Sequence, residues 1–512
     1  MSTSLICITA AIVVYLAGML YIGYHYAKVN ESDSDFYLGG RSLGPYVTAM
    51  SAEASDMSSY LLMGLPGLAY LSGVADVGWT AIGLAAGTYL NWLLVAKRLR
   101  AYTQVVGAFT LPQFFSKRFH DDRSILSAIA AVIIVIFFIP YTASGFAACG
   151  KLFGTLFGMD YMTAMLLSAI VIVGYTAAGG FLAASTTDLV QSIVMTFALC
   201  FVLAFGVAQA GGIDAVIANS SLLPGYLSFG ETHDAATGGA APYTLLTIIT
   251  TCSWGLGYFG MPHILLRFMA IEDANKLRIS RRIASVWVVI AMTVAVLIGI
   301  VGRAMSEFGI VPQLTGSGTE TIIIEIANHL ASFGLLSALM AGIVLSGILA
   351  STMSTADSQL LAASSSVSHN ILQEAMRKRL TPKNSMWAAR VTVILIAMLG
   401  IVIARDPDSS IFGIVSFAWA GFGAGFGPLV LLSLYWKRTT FAGALAGMVS
   451  GGVMVFAWKY LVRPMGGVFG VYELGPAFVV SAIVLVAVSL MTAEPEKSIT
   501  DDYEKFEREL KK

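Results

Sequence analysis

Two short stretches of this 512-residue chain gather hard oxygen donors inside apolar surroundings. One reads Ser51-Ala-Glu-Ala-Ser-Asp-Met-Ser-Ser59, the other Ser351-Thr-Met-Ser-Thr-Ala-Asp-Ser358. Hydroxyls, carboxylates and freed backbone carbonyls are the ligands of hard cations, alkali ions among them. Asp56 is the sharpest of these residues. A carboxylate at the centre of a membrane span costs roughly 2.5–3.5 kcal/mol on insertion scales, so it faces a cavity, an ion or a partner. A structural hydrogen bond that fixes a helix break is the plainer role for it. Glu53, three residues earlier, either shares that environment or faces a water path. The Ser/Thr-rich stretch alone is ordinary interhelical glue; beside a broken helix carrying Asp56 it would complete an oxygen cage. Asp188, in Thr186-Thr-Asp-Leu-Val-Gln191, is either a further acid of the site or an interfacial residue with ordinary hydration.

Aromatic side chains expected at the membrane midplane include Tyr60, Tyr141, Trp254, Tyr258, Phe417 and Trp419. Most Trp and Tyr in apolar chains belong to interfacial belts. Trp254 and Tyr258, four apart beside three glycines, would instead share one face of a broken helix and wall a small-molecule site. His263 follows Pro262 and reads as a structural donor rather than a proton relay. The run Ala420-Gly-Phe-Gly-Ala-Gly-Phe-Gly-Pro428 lacks the strand context and the lysine of a phosphate loop, so it reads as close helix packing or a gate. Cys7, Cys149, Cys200 and Cys252 have no CxxC spacing and read as packing residues, not disulfides or metal ligands. No HExxH occurs and no Ser–His pairing stands out, which argues against an enzyme. A formal net charge of zero leaves no basic surplus for nucleic acid.

The elements that position these groups must be membrane helices. Hydrophobic residues make up 57% of the chain and charged ones 12%, against about 45–50% and 25% in soluble domains. Thirteen apolar runs read as spans, near 5–27, 45–72, 76–97, 125–153, 161–180, 186–211, 243–268, 282–304, 333–371, 385–404, 409–435, 439–462 and 474–492. The ninth is too long for one crossing and should tilt, bend or project into the cytoplasm. The start lacks the basic region and cleavage site of a signal peptide, so the first run is expected to stay as a span. Lys and Arg collect in alternate loops, with Lys97, Arg98, Arg100, Lys117, Arg118 and Arg123 in one. Lys276, Arg278, Arg281 and Arg282 lie in a second, Arg377, Lys378, Arg379 and Lys383 in a third, and Lys437 and Arg438 in a fourth. The positive-inside rule then puts the N-terminus outside and the C-terminus, with Lys512, in the cytoplasm. Residues 1–492 form one transmembrane domain, and 493–512 a charged tail too short to fold alone. That tail leaves no room for the signalling domain of a transporter-like sensor.

Hydrocarbon holds no water for free backbone groups, so unwound segments are confined to the walls of cavities. The second span is interrupted at Ser51–Ser59 and again at Gly64-Leu-Pro-Gly67, the seventh at Trp254-Gly-Leu-Gly-Tyr-Phe-Gly-Met-Pro262. Paired interruptions five spans apart point to a midplane binding site between two inverted repeats, spans two to six and seven to eleven.

At these residues the chain resembles the sodium/solute symporter family. The matching motifs include Tyr37-Leu-Gly-Gly-Arg-Ser-Leu-Gly-Pro45, Ala54-Ser-Asp-Met-Ser58, Leu61-Leu-Met-Gly-Leu-Pro-Gly67 and Gly179-Gly-Phe-Leu-Ala183. Others are Trp254-Gly-Leu-Gly-Tyr-Phe-Gly260, Pro262-His-Ile-Leu265, Met353-Ser-Thr355 and Ala418-Trp-Ala-Gly-Phe-Gly423. The resemblance implies a LeuT-type fold and sodium-coupled import of a small solute, L-proline first, with another amino acid or an organic acid as the alternative. It implies a sodium site made by the carbonyls of Ala54, Met57 and Ser351 and the hydroxyls of Ser354 and Thr355. Coupling roles carry over to Asp56, Arg41 and Asp188, the last serving a second sodium site in some relatives. Solute contacts carry over to Ser58, Ser59, Tyr60, Tyr141, Trp254, Tyr258 and Pro262. Proline-carrying members have Gly-Trp at Ser59-Tyr60 and Ala at Ser351.

Overall fold

Apolar side chains remove every alternative to internal hydrogen bonding, and the chain answers with helices throughout. The structure, a computed structural model, describes residues 2–27, 38–378 and 381–511. Tyr37 of the first motif, Arg379 and Lys512 lie outside the described residues. Among the described residues, ten helices are long and apolar enough to cross a bilayer. Three shorter apolar helices, Tyr60–Ser72, Tyr161–Gly174 and Leu245–Gly260, lie among them.

Burial separates central helices from peripheral ones. In Ile411–Tyr435 the apolar window is 83% buried, in Thr3–Tyr26 only 22%. Peripheral Pro382–Ala404 exposes Val391, Leu395, Leu399 and Val402 along one face, a helical stripe suited to lipid tails. The long Leu335–Ser365 helix packs against Thr3–Ala27, Ile125–Phe157 and Phe181–Gln209. It runs on through wide turns at Ser366–Ala375, so the over-long ninth span projects beyond one bilayer thickness rather than ending there.

Three features depart from the sequence reading. One short hairpin is added to the all-helical frame: Glu231–Asp234 and Gly239–Pro242 pair antiparallel, Glu231 opposite Pro242 and Asp234 opposite Gly239. The Gly64–Gly67 stretch is not a second interruption. A widened turn at Tyr60–Gly64 leads straight into Leu65–Ser72, where Pro66 sits in the first turn and its missing N–H costs nothing. The tail, too short to fold alone, is helical on a surface that the rest of the chain supplies. Lys497–Leu510 is an amphipathic helix that buries Ile499, Tyr503 and Phe506. Phe506 stacks on Tyr102 at 4.4 Å between ring centroids, and Glu507 pairs with Arg98.

At the opposite end, Lys151 and Glu320 form a buried ion pair at 2.6 Å. The Lys151 ammonium also donates to the carbonyls of Ser317 and Ser409, and Glu320 accepts from Ser410 Oγ and the Phe412 N–H. One pair thus ties Ile125–Phe157 to the start of Ile411–Tyr435. Removing one partner of such a pair strands the other charge, at about 3–5 kcal/mol. Lys151→Met should therefore lower the thermal unfolding midpoint of the purified protein sharply, and adding Glu320→Gln should restore part of the loss. An unchanged midpoint in the single variant would show that the pair carries no stability.

Candidate functional site

The site begins with a carbonyl that loses its helical partner. Pro45–Asp56 ends where Met57 leaves helical geometry at φ −76°, ψ 69°. The Ser58 N–H then turns back to the Asp56 carbonyl at 2.8 Å, so it no longer serves the Ala54 carbonyl four residues before. The Ser354 hydroxyl takes that place, donating to Ala54 O at 2.7 Å and lying 3.2 Å from Ser351 O. Beside it the Thr355 hydroxyl is buried without a hydrogen-bond partner. Buried hydroxyls are rarely left so. The group is all oxygen, two hydroxyls and two carbonyls from two helices, and this donor chemistry suits a hard monovalent cation and not a soft metal.

The counterpart break has a different local cause. Leu245–Cys252 tightens into a 3-10 segment, Ser253–Gly260, and the helix resumes at Pro262–Ala270. Pro262 disfavours helical backbone at the residue before it, and Met261 is extended at φ −74°, ψ 108°. The glycines let this segment press on Ile411–Tyr435: a Cβ at Gly257 would lie 1.9 Å from Trp419 Nε1. That indole N–H donates to the Trp254 carbonyl at 2.7 Å. The Gly-rich run is therefore close packing, with Gly421 against the Phe137 ring.

Asp56 joins the two breaks. It is 5% exposed, and the Tyr258 hydroxyl donates to its Oδ2 at 2.5 Å while Tyr141 donates to its carbonyl at 3.3 Å. A chamber with about 10 Å³ of free volume lies here, walled by Asp56, Met57, Tyr60, Tyr141, Trp254 and Trp419 among others. Of the solute contacts expected from sequence, Tyr60, Tyr141 and Trp254 line it. Tyr258 stands at Asp56, and Ser58, Ser59 and Pro262 are not in its wall. Phe417 packs away from it, on Phe137 and Phe456. His263 packs against Phe138 and Tyr141. Glu53 is off any water path at 1% exposure, where it accepts from Thr88 Oγ1 and Trp92 Nε1 on the next helix.

Asp188 is not interfacial. Its helix, Phe181–Gln209, starts before the expected span, which puts Asp188 two turns inside at 0% exposure. It pairs with Arg267 at 3.1 Å and accepts from Ser51 Oγ at 2.6 Å. Arg267 also donates to Ser51 Oγ and Ser358 Oγ. Asp357 lies on this side of its helix, accepting from Ser358 at 3.3 Å, and not in the oxygen group around Ala54. Arg267 escaped the sequence reading, although a lone arginine in the apolar run Pro262–Ala270 is a signal of its own. Arg41 is remote from these groups. It donates to the carbonyls of Met269 at 2.6 Å and Ala108 at 2.8 Å, clamping the far end of the Pro262–Ala270 helix.

Known proteins share this sequence pattern and this fold. Residues 36–451 match the Sodium:solute symporter family. The chain is 42% identical over 505 residues to the sodium/proline symporter of Haemophilus influenzae, covering 97% of each chain. It is 42% identical over 493 residues to that of Escherichia coli, covering 95% of this chain and 93% of the other. In fold it is similar to a Na+-coupled sialic acid symporter solved in a substrate-bound outward-open state, with a TM-score of 0.77 at 17% identity over 96% of this chain and 99% of that one. The all-helical fold, the multi-pass membrane character and the motif set have one origin: the chain belongs to the Sodium:solute symporter family.

Proposed function

We propose that this chain is a sodium-coupled symporter that imports L-proline by alternating access. The observation that carries the reading is the meeting of Ala54 O with Ser354 Oγ, beside the unpartnered Thr355 hydroxyl, at the same helix break whose Asp56 and Met57 line an aromatic chamber. The names of the relatives, sodium/proline symporters over nearly the full length, support proline as the solute. As a transporter it is not an enzyme and needs no organic cofactor; sodium and proline are both cargo.

In this reading thirteen helices cross the membrane, the N-terminus is outside, and the C-terminal tail is cytoplasmic after a single domain of residues 1–492. Spans two to six and seven to eleven form inverted five-helix repeats, with a break in the first helix of each. Sodium is held by the carbonyls of Ala54, Met57 and Ser351 and the hydroxyls of Ser354 and Thr355. Replacing the hydroxyl-to-carbonyl bond by ion contacts fixes the break, and with it the backbone N–H groups after Ser58 that would face the proline carboxylate. The pyrrolidine ring packs on Tyr60, Tyr141 and Trp254, with Ser58, Ser59, Tyr258 and Pro262 shaping the break around it. A chamber of about 10 Å³ admits little more than a water, so entry of the solute must spread the two broken helices. Asp56, between them, and Arg41 and Asp188, at the inner half, couple that movement to the ion.

The driving force suffices. One charge crossing 100 mV supplies about 2.3 kcal/mol and a tenfold sodium gradient about 1.4, together roughly 500-fold accumulation at one sodium per solute. A second reading keeps the machine and changes the cargo to another small amino acid or organic solute. It is favoured by Tyr60, a chamber residue where proline-carrying members have Trp.

Uptake of labelled proline into proteoliposomes should require an inward sodium gradient and be competed poorly by other amino acids. Uptake indifferent to sodium would sink the proposal, and strong competition by another solute would move it to the second reading. Thr355→Ala should raise the sodium concentration for half-maximal uptake by roughly tenfold or more, since a contact to a charged group contributes about 1.5–3 kcal/mol. Asp56→Asn should shift it in the same direction. If sodium titrations of both variants overlay the parent, the cage is misplaced.

A further inference from the structure

The chamber is closed on one side by a partition of rings that the sequence motifs do not contain in full. The Trp254 ring stands between Tyr60, stacked at 5.6 Å and 26°, and Tyr472, stacked at 5.1 Å and 22°. Phe412 fills the edge, 5.6 Å from Tyr60 and 5.3 Å from Trp254. Beyond the partition lies a vestibule of about 690 Å³, whose wall includes Trp254, Phe412 and Tyr472, together with Asp76 and Arg463. Trp254 is thus the wall common to vestibule and chamber. The vestibule lies at the end of the bundle away from the basic loops, which is the outside in the orientation proposed above.

Tyr472 differs from its two partners in origin. Tyr60 and Trp254 belong to the two broken helices. Tyr472 comes from the connection between the last two helices, after both proposed repeats. That connection is pinned: Trp458 Nε1 donates to Val471 O at 3.2 Å, and Arg463 pairs at 2.9 Å with fully buried Glu473. The Tyr472 hydroxyl in turn donates to Ser416 O at 2.7 Å, which aims the ring at Trp254 from the vestibule side. A ring held from outside the moving helices is a stop against which Trp254 closes.

We propose that Tyr472 is a positioning residue of the transport cycle, holding Trp254 as the outer lid of the solute chamber. Outward opening then requires Trp254 to part from Tyr472, and solute held beneath the lid leaves only when that stack opens. The inference rests on the symporter reading and adds to it a residue outside the repeats.

Two readouts test it. In the first, labelled proline bound in sodium is chased with unlabelled proline. Tyr472→Ala should speed release roughly two- to tenfold, the range of one aromatic stack, and raise the KM for proline more than it lowers the maximal rate. Tyr472→Trp should restore both values, and Tyr472→Phe should fall between. In the second, Val415→Cys, at the chamber wall, is introduced after replacing the four native cysteines. Labelling by an impermeant thiol reagent on intact cells, in sodium, should be faster when Tyr472→Ala is added. Unchanged release and labelling in Tyr472→Ala would overturn the lid. So would equal impairment of the Ala and Trp variants, because the ring would then not matter. Should Tyr472→Ala fail to reach the membrane, Tyr472→Leu keeps apolar bulk without the stack and takes its place. Absence of sodium-stimulated proline binding in the parent would instead count against the proline reading, and the labelling arm would still decide the lid.

Discussion

A single backbone carbonyl with no helical partner organises this molecule. In hydrocarbon an unsatisfied peptide group costs several kcal/mol, so the break at Met57 survives only because something else answers the Ala54 carbonyl. Here it is the Ser354 hydroxyl at 2.7 Å. That bond couples a broken helix to an unbroken one, and it is the contact an ion would replace. At the second break the Trp419 indole donates to the Trp254 carbonyl, again a contact from another helix.

The two breaks are also joined to each other. Tyr258 on one donates to Asp56 on the other at 2.5 Å, and their rings Tyr60 and Trp254 stack. At the end with the basic loops Arg41, just ahead of the first broken helix, spans the Met269 and Ala108 carbonyls. At the opposite end Lys151 and Glu320 tie the surrounding helices together. The chamber is a seam between these elements, filled largely by the rings of Tyr60, Tyr141, Trp254 and Trp419.

Much of this was legible in the sequence. Glycine, proline and hydroxyl residues inside apolar runs mark breaks because each has a local physical effect: Pro262 on Met261, Ser58 on the turn after Asp56. Partners were less legible. Asp188 read as either a site acid or an interfacial residue because the expected span began at residue 186, whereas the turn at Gly180, φ 85°, starts the helix at Phe181. Pro66 looked like an interruption, although a widened turn ahead of it satisfies the backbone. Asp357 and Thr355 stand two apart in one oxygen-rich stretch, and helical geometry turns their side chains to different neighbours, which the composition of the stretch does not reveal. The hairpin at Glu231–Pro242 and the docked tail depend on surfaces supplied by distant segments.

The buried ion pair clarifies what sodium could control. Arg267 and Ser51 lie on the two broken helices, Asp188 and Ser358 on unbroken ones, and these four groups bond across the same interface as Ala54 and Ser354. The interface therefore carries two bridges, one with a permanent cation supplied by the chain and one with only neutral oxygens. A permanent pair between near-fully buried partners holds in every ionic condition, since salt screens it weakly. The neutral bridge is the one whose strength depends on what occupies it. If the broken helices move against the unbroken ones, Arg267 supplies a constant attraction that sets the resting alignment, and an ion at Ala54 and Thr355 adds the variable part. An ion that binds one alignment better than the other would then shift the balance between them, which is the thermodynamic condition for a ligand to shift a conformational equilibrium.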